Sequence, residues 1–422
     1  MKTIERKYWL PFFLVSLLFL LWGVANNMND TLLAAFKRIM SMSDLQTSFV
    51  QFAFYGAYFC FALPAALFIT RFTYKAGILL GLVLYSFGTL LFYPAGISAS
   101  YTFYLIAIYV MAGGCSILET TANPYILSMG DKDSATRRLN IAQSFNPIGA
   151  ICGILLSRHF ILSELHEAGA EERSVLSPQA LMDIQRHELN AVSGTYMIIG
   201  GILLILFFVI LLTRMPGGKD RSETAPLSEC LIYLWKDKKY RYGVVTQFFY
   251  VGVQTCVWSF TIRYVMSETG ILEKDASLIF LYSIIAFTGF RFLFTWMMKY
   301  FRPSVLITYA ALAGFMLTVG VIISGGILSI VFLIMISAAM SLMFPTIYGI
   351  ALGKVEPRFA KIGASGLIMA ILGGAVLTPL QALISDTRGI SVSFILPAIC
   401  FLVILAYAVY TLKVTENSLA YE

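Results

Sequence analysis

The sequence predicts an all-α integral membrane protein with twelve spanning helices in two groups of six. Of its 422 residues, 59% are hydrophobic and only 13% are charged, whereas a soluble domain has about 25% charged residues. Apolar runs of the length that crosses a bilayer, about 20 residues, recur along the whole chain. These runs lack the alternating pattern of a membrane β-barrel, so each one predicts a helix.

The apolar runs fall into two sets, separated by a long polar segment. The predicted spans of the first set are 8–38, 44–70, 76–95, 101–129, 138–163 and 193–214. Those of the second set are 240–266, 274–299, 304–324, 327–352, 360–385 and 390–412. Only two connections are long, residues 164–192 and 215–239, and both are rich in polar residues.

The basic residues indicate how the chain is oriented. Lys2, Arg6 and Lys7 precede the first span, and because no cleavage site of small residues follows, we expect an uncleaved first helix. With the N-terminus inside, most of the 30 Lys and Arg residues fall on the cytoplasmic side, as the positive-inside rule requires. We therefore expect both termini in the cytoplasm. The net charge of +7 reflects this topology, and we expect no nucleic-acid partner.

The long connection after the sixth span divides the chain into three parts. We expect an N-terminal six-helix half at 1–214, a cytoplasmic central loop at 215–239 and a C-terminal six-helix half at 240–422. This layout is typical of the major facilitator superfamily, whose substrate site lies between the two halves near the midplane of the membrane.

Two acids of the first set lie inside spans. Asp30 shares a helical face with Asn26 and Asn29, and Glu119 shares one with Asn123, because residues three or four apart are neighbours on a helix. Acids inside a membrane are costly to bury and are typical of substrate or proton paths. A carboxyl that fixes helix packing is the alternative reading.

Amides recur at helical spacing in two further spans. Gln143 and Asn146 follow Asn140 in the fifth span, and Gln254 precedes Trp258 by one turn in the seventh. Amides both donate and accept hydrogen bonds, and an indole packs against the C–H face of a sugar, so the set suits a polyhydroxylated ligand. Each amide pair alone is equally consistent with an interhelical hydrogen bond, of about 0.6 kcal/mol in a membrane.

No motif of an enzyme or of a nucleotide-driven pump is found in the sequence. It has no Gly-x-Ser-x-Gly, no HExxH and no Walker A segment, and its six cysteines have no metal-binding spacing. We therefore expect no enzymatic activity, no metal and no cofactor.

Several segments resemble the fucose/galactose/glucose–proton symporter family, most closely its bacterial L-fucose–proton members. They are VANNMND at 24–30, LETTANP at 118–124, RLNIAQSFN at 138–146, 250–264, Phe344-Pro345-Thr346, and Gly373-Gly374 with Thr378-Pro379. The resemblance implies that Asp30 and Glu119 serve proton coupling and sugar binding. It also implies that Gln143, Asn146 and Trp258 contact the sugar.

These observations together predict a proton-coupled symporter that imports a monosaccharide, L-fucose first of all, across the bacterial inner membrane. Another hexose, such as galactose, glucose or N-acetylglucosamine, is the alternative substrate. A sugar receptor without transport and a drug/proton antiporter are the other functions considered. Glu119 is expected to carry the proton and Asp30 to bind sugar hydroxyls. The expected partners are the sugar, the proton and membrane lipid, and the expected state is a monomer.

Overall fold

A computed structural model of the chain describes residue 4 and residues 6–40, 44–165, 173, 176–216, 225–271 and 273–420. Within these ranges the chain is helical and contains no strand. The predicted all-α fold is therefore confirmed.

In the ranges described, the first six spans are built from eight α-helices. They are α1 (Trp9–Ile39), α2 (Asp44–Arg71), α3 (Tyr74–Leu90) with α4 (Phe92–Ser98), α5 (Tyr101–Ser128), α6 (Ala135–Gln143) with α7 (Phe145–Phe160), and α8 (Pro178–Leu212).

Ten further α-helices follow in the described residues from 225 onwards. They are α9 (Leu227–Lys236), α10 (Lys238–Thr269), α11 (Glu273–Met297), α12 (Pro303–Ile323), α13 (Gly326–Met340) with α14 (Met343–Leu352), α15 (Pro357–Met369) with α16 (Gly373–Arg388), and α17 (Ile390–Ser393) with α18 (Ile395–Ala420).

In the described part of the chain, 11 helical stretches are long and apolar enough to cross a membrane. The remaining predicted span corresponds to α10, whose 32 residues suffice in length but include many polar side chains. Helix α10 packs against α14, α16 and α18. Its buried polar residues, among them Thr246, Gln247 and Thr261, face these neighbouring helices. These positions need not be apolar because they do not contact lipid.

The first long connection, predicted as a polar segment at 164–192, is partly helical. Helix α8 begins at Pro178, well before the predicted sixth span. The hydroxyl of Ser177 accepts a hydrogen bond from the N–H of Ala180 at 3.3 Å, and proline suits the first helical position because its missing N–H needs no partner there. A Ser-Pro cap therefore starts the helix before the apolar run does.

Two spans are interrupted just before a proline. The fifth span breaks at Ser144, ahead of Pro147, and the tenth breaks between Met340 and Met343, ahead of Pro345. A proline has no N–H, so the carbonyl four residues earlier loses its helical partner. The two carbonyls affected belong to Gln143 and Ser341.

The chain forms two compact units. One comprises Lys7–Ala122 and Ile148–Asp220, and the other comprises Met1–Arg6, Asn123–Pro147 and Arg221–Glu422. In the first unit α3 and α4 pack on α8, with the rings of Phe92 and Tyr196 stacked at 3.9 Å. In the second unit α6 packs on α14 and α11. The predicted division at 1–214, 215–239 and 240–422 stays a prediction.

Candidate functional site

The carboxyl group of Glu119 is buried in α5. The residue is 7% exposed, and its Oε2 atom has no hydrogen-bond partner among the described residues. Leaving a buried polar atom unpaired costs free energy, typically about 1–3 kcal/mol. An oxygen of this kind is available to take a proton or to accept a hydrogen bond from a ligand hydroxyl.

Aromatic side chains of α1 and α2 contact each other, and α2 contacts α5 one turn before Glu119, within the same unit. The indole N–H of Trp22 donates to the hydroxyl of Tyr58 at 2.5 Å, and their rings stack at 6.4 Å. Cys115, also buried, lies one turn before Glu119 on α5. The hydroxyl of Ser116 donates to the backbone carbonyl of Tyr58, which holds α2 against α5 at this level.

Two of the predicted amide residues contact each other in the second unit. Gln143 Nε2 donates to Asn123 Oδ1 at 2.9 Å, with both side chains buried. Asn123 Nδ2 has no partner in the described part of the chain. The pair therefore joins α5 to α6 and leaves one amide donor available to a ligand.

Asn140, one turn earlier on α6, contacts the tenth span. Its Nδ2 donates to the hydroxyl of Thr346 at 3.3 Å and to the carbonyl of Thr136 at 2.9 Å. Both Asn140 and Thr346 are fully buried. This residue of the amide series therefore acts as an interhelical contact, which is the alternative reading of the pattern.

Trp258 lies half-buried on α10. Its indole N–H donates to the hydroxyl of Ser337 at 3.2 Å, and Phe287 meets its ring edge to face at 5.1 Å. Gln254, one turn earlier, is also half-buried and makes no hydrogen bond to a described residue. An indole held by a hydrogen bond, one turn from an amide with no partner among the described residues, suits the C–H face and hydroxyls of a sugar, but the two residues stay a predicted site.

Arg291 is a functional candidate that the sequence reading did not include. It is 3% exposed inside α11. Its Nε donates to the carbonyl of Ser341 at 2.5 Å, and its Nη1 donates to the carbonyl of Gln143 at 2.9 Å. Its guanidinium lies 4.7 Å from the ring centre of Phe287. The signal available in the sequence was one arginine in the middle of an apolar run, together with Pro147 and Pro345.

Four further residues of the predicted site lie on α1 and α7. Asn26, Asn29 and Asp30 lie on α1, but their side chains fall outside the described residues. Asn146 is half-buried in the first turn of α7. The grouping of these four residues with Glu119, Asn123 and Gln143 stays a prediction.

Metal chemistry finds no support among the described residues. They include no group of three or more His, Cys, Asp or Glu side chains placed to hold a metal ion. Apart from the Arg291 guanidinium, which bonds two backbone carbonyls, the polar groups described above are amides, one carboxyl group, hydroxyls and an indole. Together they suit a neutral ligand rich in hydroxyl groups.

Comparisons with known proteins agree with this chemistry. A model of the Major Facilitator Superfamily matches residues 12–378. The chain is 40% identical to the L-fucose-proton symporter of Haemophilus influenzae, over 98% of this chain and 99% of that protein. It is 34% identical to the L-fucose-proton symporter of Escherichia coli, over 98% and 95% respectively. The crystal structure of the transporter FucP in the outward conformation superposes with a TM-score of 0.89 at 35% identity, covering 96% of this chain and 99% of that one.

Proposed function

The chain belongs to the Major Facilitator Superfamily, and from this membership we propose that it is a proton-coupled symporter that imports L-fucose by alternating access. The observation that carries the proposal is the buried Glu119, whose Oε2 lacks a partner, in a chain so similar to two L-fucose-proton symporters over their full length. An acid that must be neutralised to stay buried suits coupling to a proton.

The proposed cycle begins with a proton. Protonation of Glu119 or Asp30 removes a buried charge, and the sugar hydroxyls then bind the amides of Asn123, Gln143, Asn146 and Gln254. Asn26, Asn29 and Asp30 contribute from α1, and the apolar face of the sugar packs on Trp258. With the charge neutralised and the polar atoms paired, the two six-helix halves rock and expose the site on the other side. We assign the proton to Glu119 and sugar contacts to Asp30.

The proposal includes the setting of the protein. We place the chain in the bacterial inner membrane as a monomer with both termini in the cytoplasm, following the distribution of its basic residues. Membrane lipid and the sugar are its partners, and nucleic acid is not.

Uptake measurements in proteoliposomes test the function. With an inward proton gradient, labelled L-fucose should accumulate above its external concentration, and a proton ionophore should abolish the accumulation. Binding of fucose without uptake would instead indicate a receptor. Uptake of fucose that ignores the proton gradient would overturn the coupling.

The substrate is tested by competition of unlabelled compounds against the uptake of labelled L-fucose. Unlabelled L-fucose should compete best, ahead of galactose, glucose and N-acetylglucosamine. The glucose/galactose transporter of Brucella abortus is 28% identical to this chain, so galactose or glucose is the alternative substrate. Competition by a lipophilic cation, with sugars inactive, would indicate a drug/proton antiporter.

A further inference from the structure

Two orphaned carbonyl groups lie at the interruptions of the fifth and tenth spans. Pro147 removes the N–H that would bond the carbonyl of Gln143, and Pro345 removes the one that would bond the carbonyl of Ser341. Both residues are buried, with Gln143 4% exposed and Ser341 fully enclosed. In a membrane, a backbone carbonyl without a partner costs several kcal/mol, so each of these needs a donor from elsewhere.

One side chain supplies both donors. Arg291 Nε lies 2.5 Å from the Ser341 oxygen and Nη1 lies 2.9 Å from the Gln143 oxygen. No carboxylate among the described residues lies within ion-pair distance of this guanidinium. Its charge is therefore committed to the two carbonyls and to the ring of Phe287. A guanidinium is suited to this role because its donors form a rigid planar fork and it keeps its charge.

The same contact reaches two candidate ligand residues. Gln143, whose carbonyl Arg291 holds, presents its side-chain amide to Asn123. Phe287, which packs against the guanidinium, also packs against Trp258. A shift of Arg291 would therefore move the main chain of α6 and the support of the Trp258 ring together.

We propose that Arg291 is a positioning residue of the transport cycle that clasps the two proline-freed carbonyls and so holds α6 against α14. The proposal rests on the proposed function in one respect. Rocking of the six-helix halves must at one stage separate the fifth span from the eighth and tenth, and this clasp must then open. Arg291 thus favours the state in which α6 and α14 are in contact.

A cysteine at Thr346 reports whether the clasp is closed. Thr346 is fully buried, against Asn140 of α6, so a maleimide reaches Cys at this position only when α6 leaves α14. We use Thr346→Cys with the exposed Cys60 replaced by alanine, and subtract the labelling of the same chain without Thr346→Cys. Arg291→Gln should raise the labelling rate by about tenfold or more, because the loss of even one of its two charged hydrogen bonds has about that effect. Arg291→Lys, whose single ammonium lacks the planar fork, should give an intermediate rate.

Restoring the missing N–H groups provides the decisive control. Pro147→Ala with Pro345→Ala returns a helical donor to each carbonyl, so adding both to Arg291→Gln should bring the labelling rate back towards that of the parent. Pro379→Ala is the matched control, because Pro379 also lies inside a helix but frees a carbonyl that Arg291 does not bond. It should leave the rate of Arg291→Gln unchanged.

Each outcome decides the proposal. Unchanged labelling in Arg291→Gln overturns it, as does raised labelling that Pro379→Ala lowers as much as the other two prolines do. If Arg291→Gln alone does not reach the membrane, recovery by Pro147→Ala with Pro345→Ala supports the clasp and failure to recover contradicts it.

Transport separates this proposal from the proposed function. In Arg291→Gln the maximal rate of fucose uptake should fall by more than the affinity for fucose, because the transition between states is disturbed more than the sugar contacts. If the unmodified chain transported no sugar, the proposed function would fail, yet the labelling rates would still report on the clasp.

Discussion

Gln143 donates a side-chain N–H to Asn123 Oδ1 at 2.9 Å, and its backbone carbonyl accepts a hydrogen bond from Arg291 at the same distance. One residue at the break of the fifth span thus connects the fourth span to the eighth. The break at Ser144 frees the backbone carbonyl of Gln143. The side chain of Gln143 contacts Asn123, whose Nδ2 atom has no partner among the described residues.

Replacing Gln143 should weaken sugar binding. Gln143→Leu leaves both ends of the Asn123 side chain without a protein partner, so the pair no longer holds a defined orientation. We expect the affinity for L-fucose to fall about tenfold or more, since a buried hydrogen-bonding group left unpaired costs about 1–3 kcal/mol. Isothermal titration calorimetry of the purified protein with L-fucose measures this affinity.

Ser128→Ala is the control for that experiment. Ser128 lies on α5, the helix of Asn123, and among the described residues its hydroxyl bonds only the carbonyl of Tyr125 in that helix. Its replacement should leave fucose affinity unchanged. Unchanged affinity in Gln143→Leu, or an equal loss in Ser128→Ala, would contradict the role of Gln143.

Replacing Glu119 should separate exchange from accumulation. Glu119→Gln imitates the protonated carboxyl in shape and is permanently neutral. We expect exchange of labelled for unlabelled fucose to persist, while accumulation driven by a proton gradient is lost. Counterflow and gradient-driven uptake in the same proteoliposomes measure the two activities.

An exposed acid serves as the comparison for Glu119. Glu164 is half exposed and lies 3.3 Å from His187, so Glu164→Gln should leave both activities intact. If Glu119→Gln lost exchange and accumulation to the same extent, Glu119 would be a sugar ligand and the proton assignment would pass to Asp30.

A methyl group at Gly149 should push α7 away from α1. A Cβ atom there would overlap the backbone carbonyl of Leu20, whereas one at Gly201 would meet nothing within 4 Å. Gly149→Ala should therefore lower the free energy of unfolding by about 1–3 kcal/mol, as overpacking does. Gly201→Ala should raise it by up to about 1 kcal/mol through helix propensity. Unfolding in mixed detergent micelles measures both, and equal effects of the two substitutions would contradict the close approach.

The first long connection, predicted at 164–192, contains a buried ion pair that should matter for stability. Arg173 binds Glu188 through two hydrogen bonds of 2.5 and 2.9 Å, with side chains 2% and 0% exposed. Glu188→Gln removes the carboxylate that binds the buried arginine, which should lower the free energy of unfolding by about 3–5 kcal/mol.

Removing both charges should recover much of that loss. Arg173→Met with Glu188→Leu leaves no uncompensated charge, so the double variant should be more stable than Glu188→Gln alone. The exposed pair of Glu164 and His187 is the reference, since breaking it should change stability by less than about 1 kcal/mol. A double variant as unstable as the single one would contradict this account.

The sequence reading named Asn123 and Gln143 in two separate amide patterns and did not predict that they contact each other. Their spacing placed each residue on a helical face, but no pattern states which faces meet. The sequence reading also placed the end of the first long connection too late. The residues after Ser177-Pro178 are polar and were therefore assigned to the connection, but they belong to the helix of the sixth span. Hydropathy locates the lipid boundary and does not locate the end of a helix.

Arg291 illustrates what sequence reasoning left out. A single arginine in an apolar run has the same pattern whether it reaches for the membrane surface or stays buried. Its partners are main-chain carbonyls 50 and 148 residues away, and every residue type carries a carbonyl. Only the arrangement of the helices distinguishes one carbonyl from another.

The sequence by itself determined that this protein is a multi-span helical membrane protein with acids and amides inside its spans, because hydrocarbon length and the cost of buried polar groups act on each segment separately. Its motifs also identified the family. The tertiary structure decided which buried groups meet, that Asn140 is an interhelical contact and that Asn123 pairs with Gln143. It also decided that one arginine serves the two carbonyls released by Pro147 and Pro345. These are pairings between distant segments, and they follow from packing, which brings the helices together only in the folded chain.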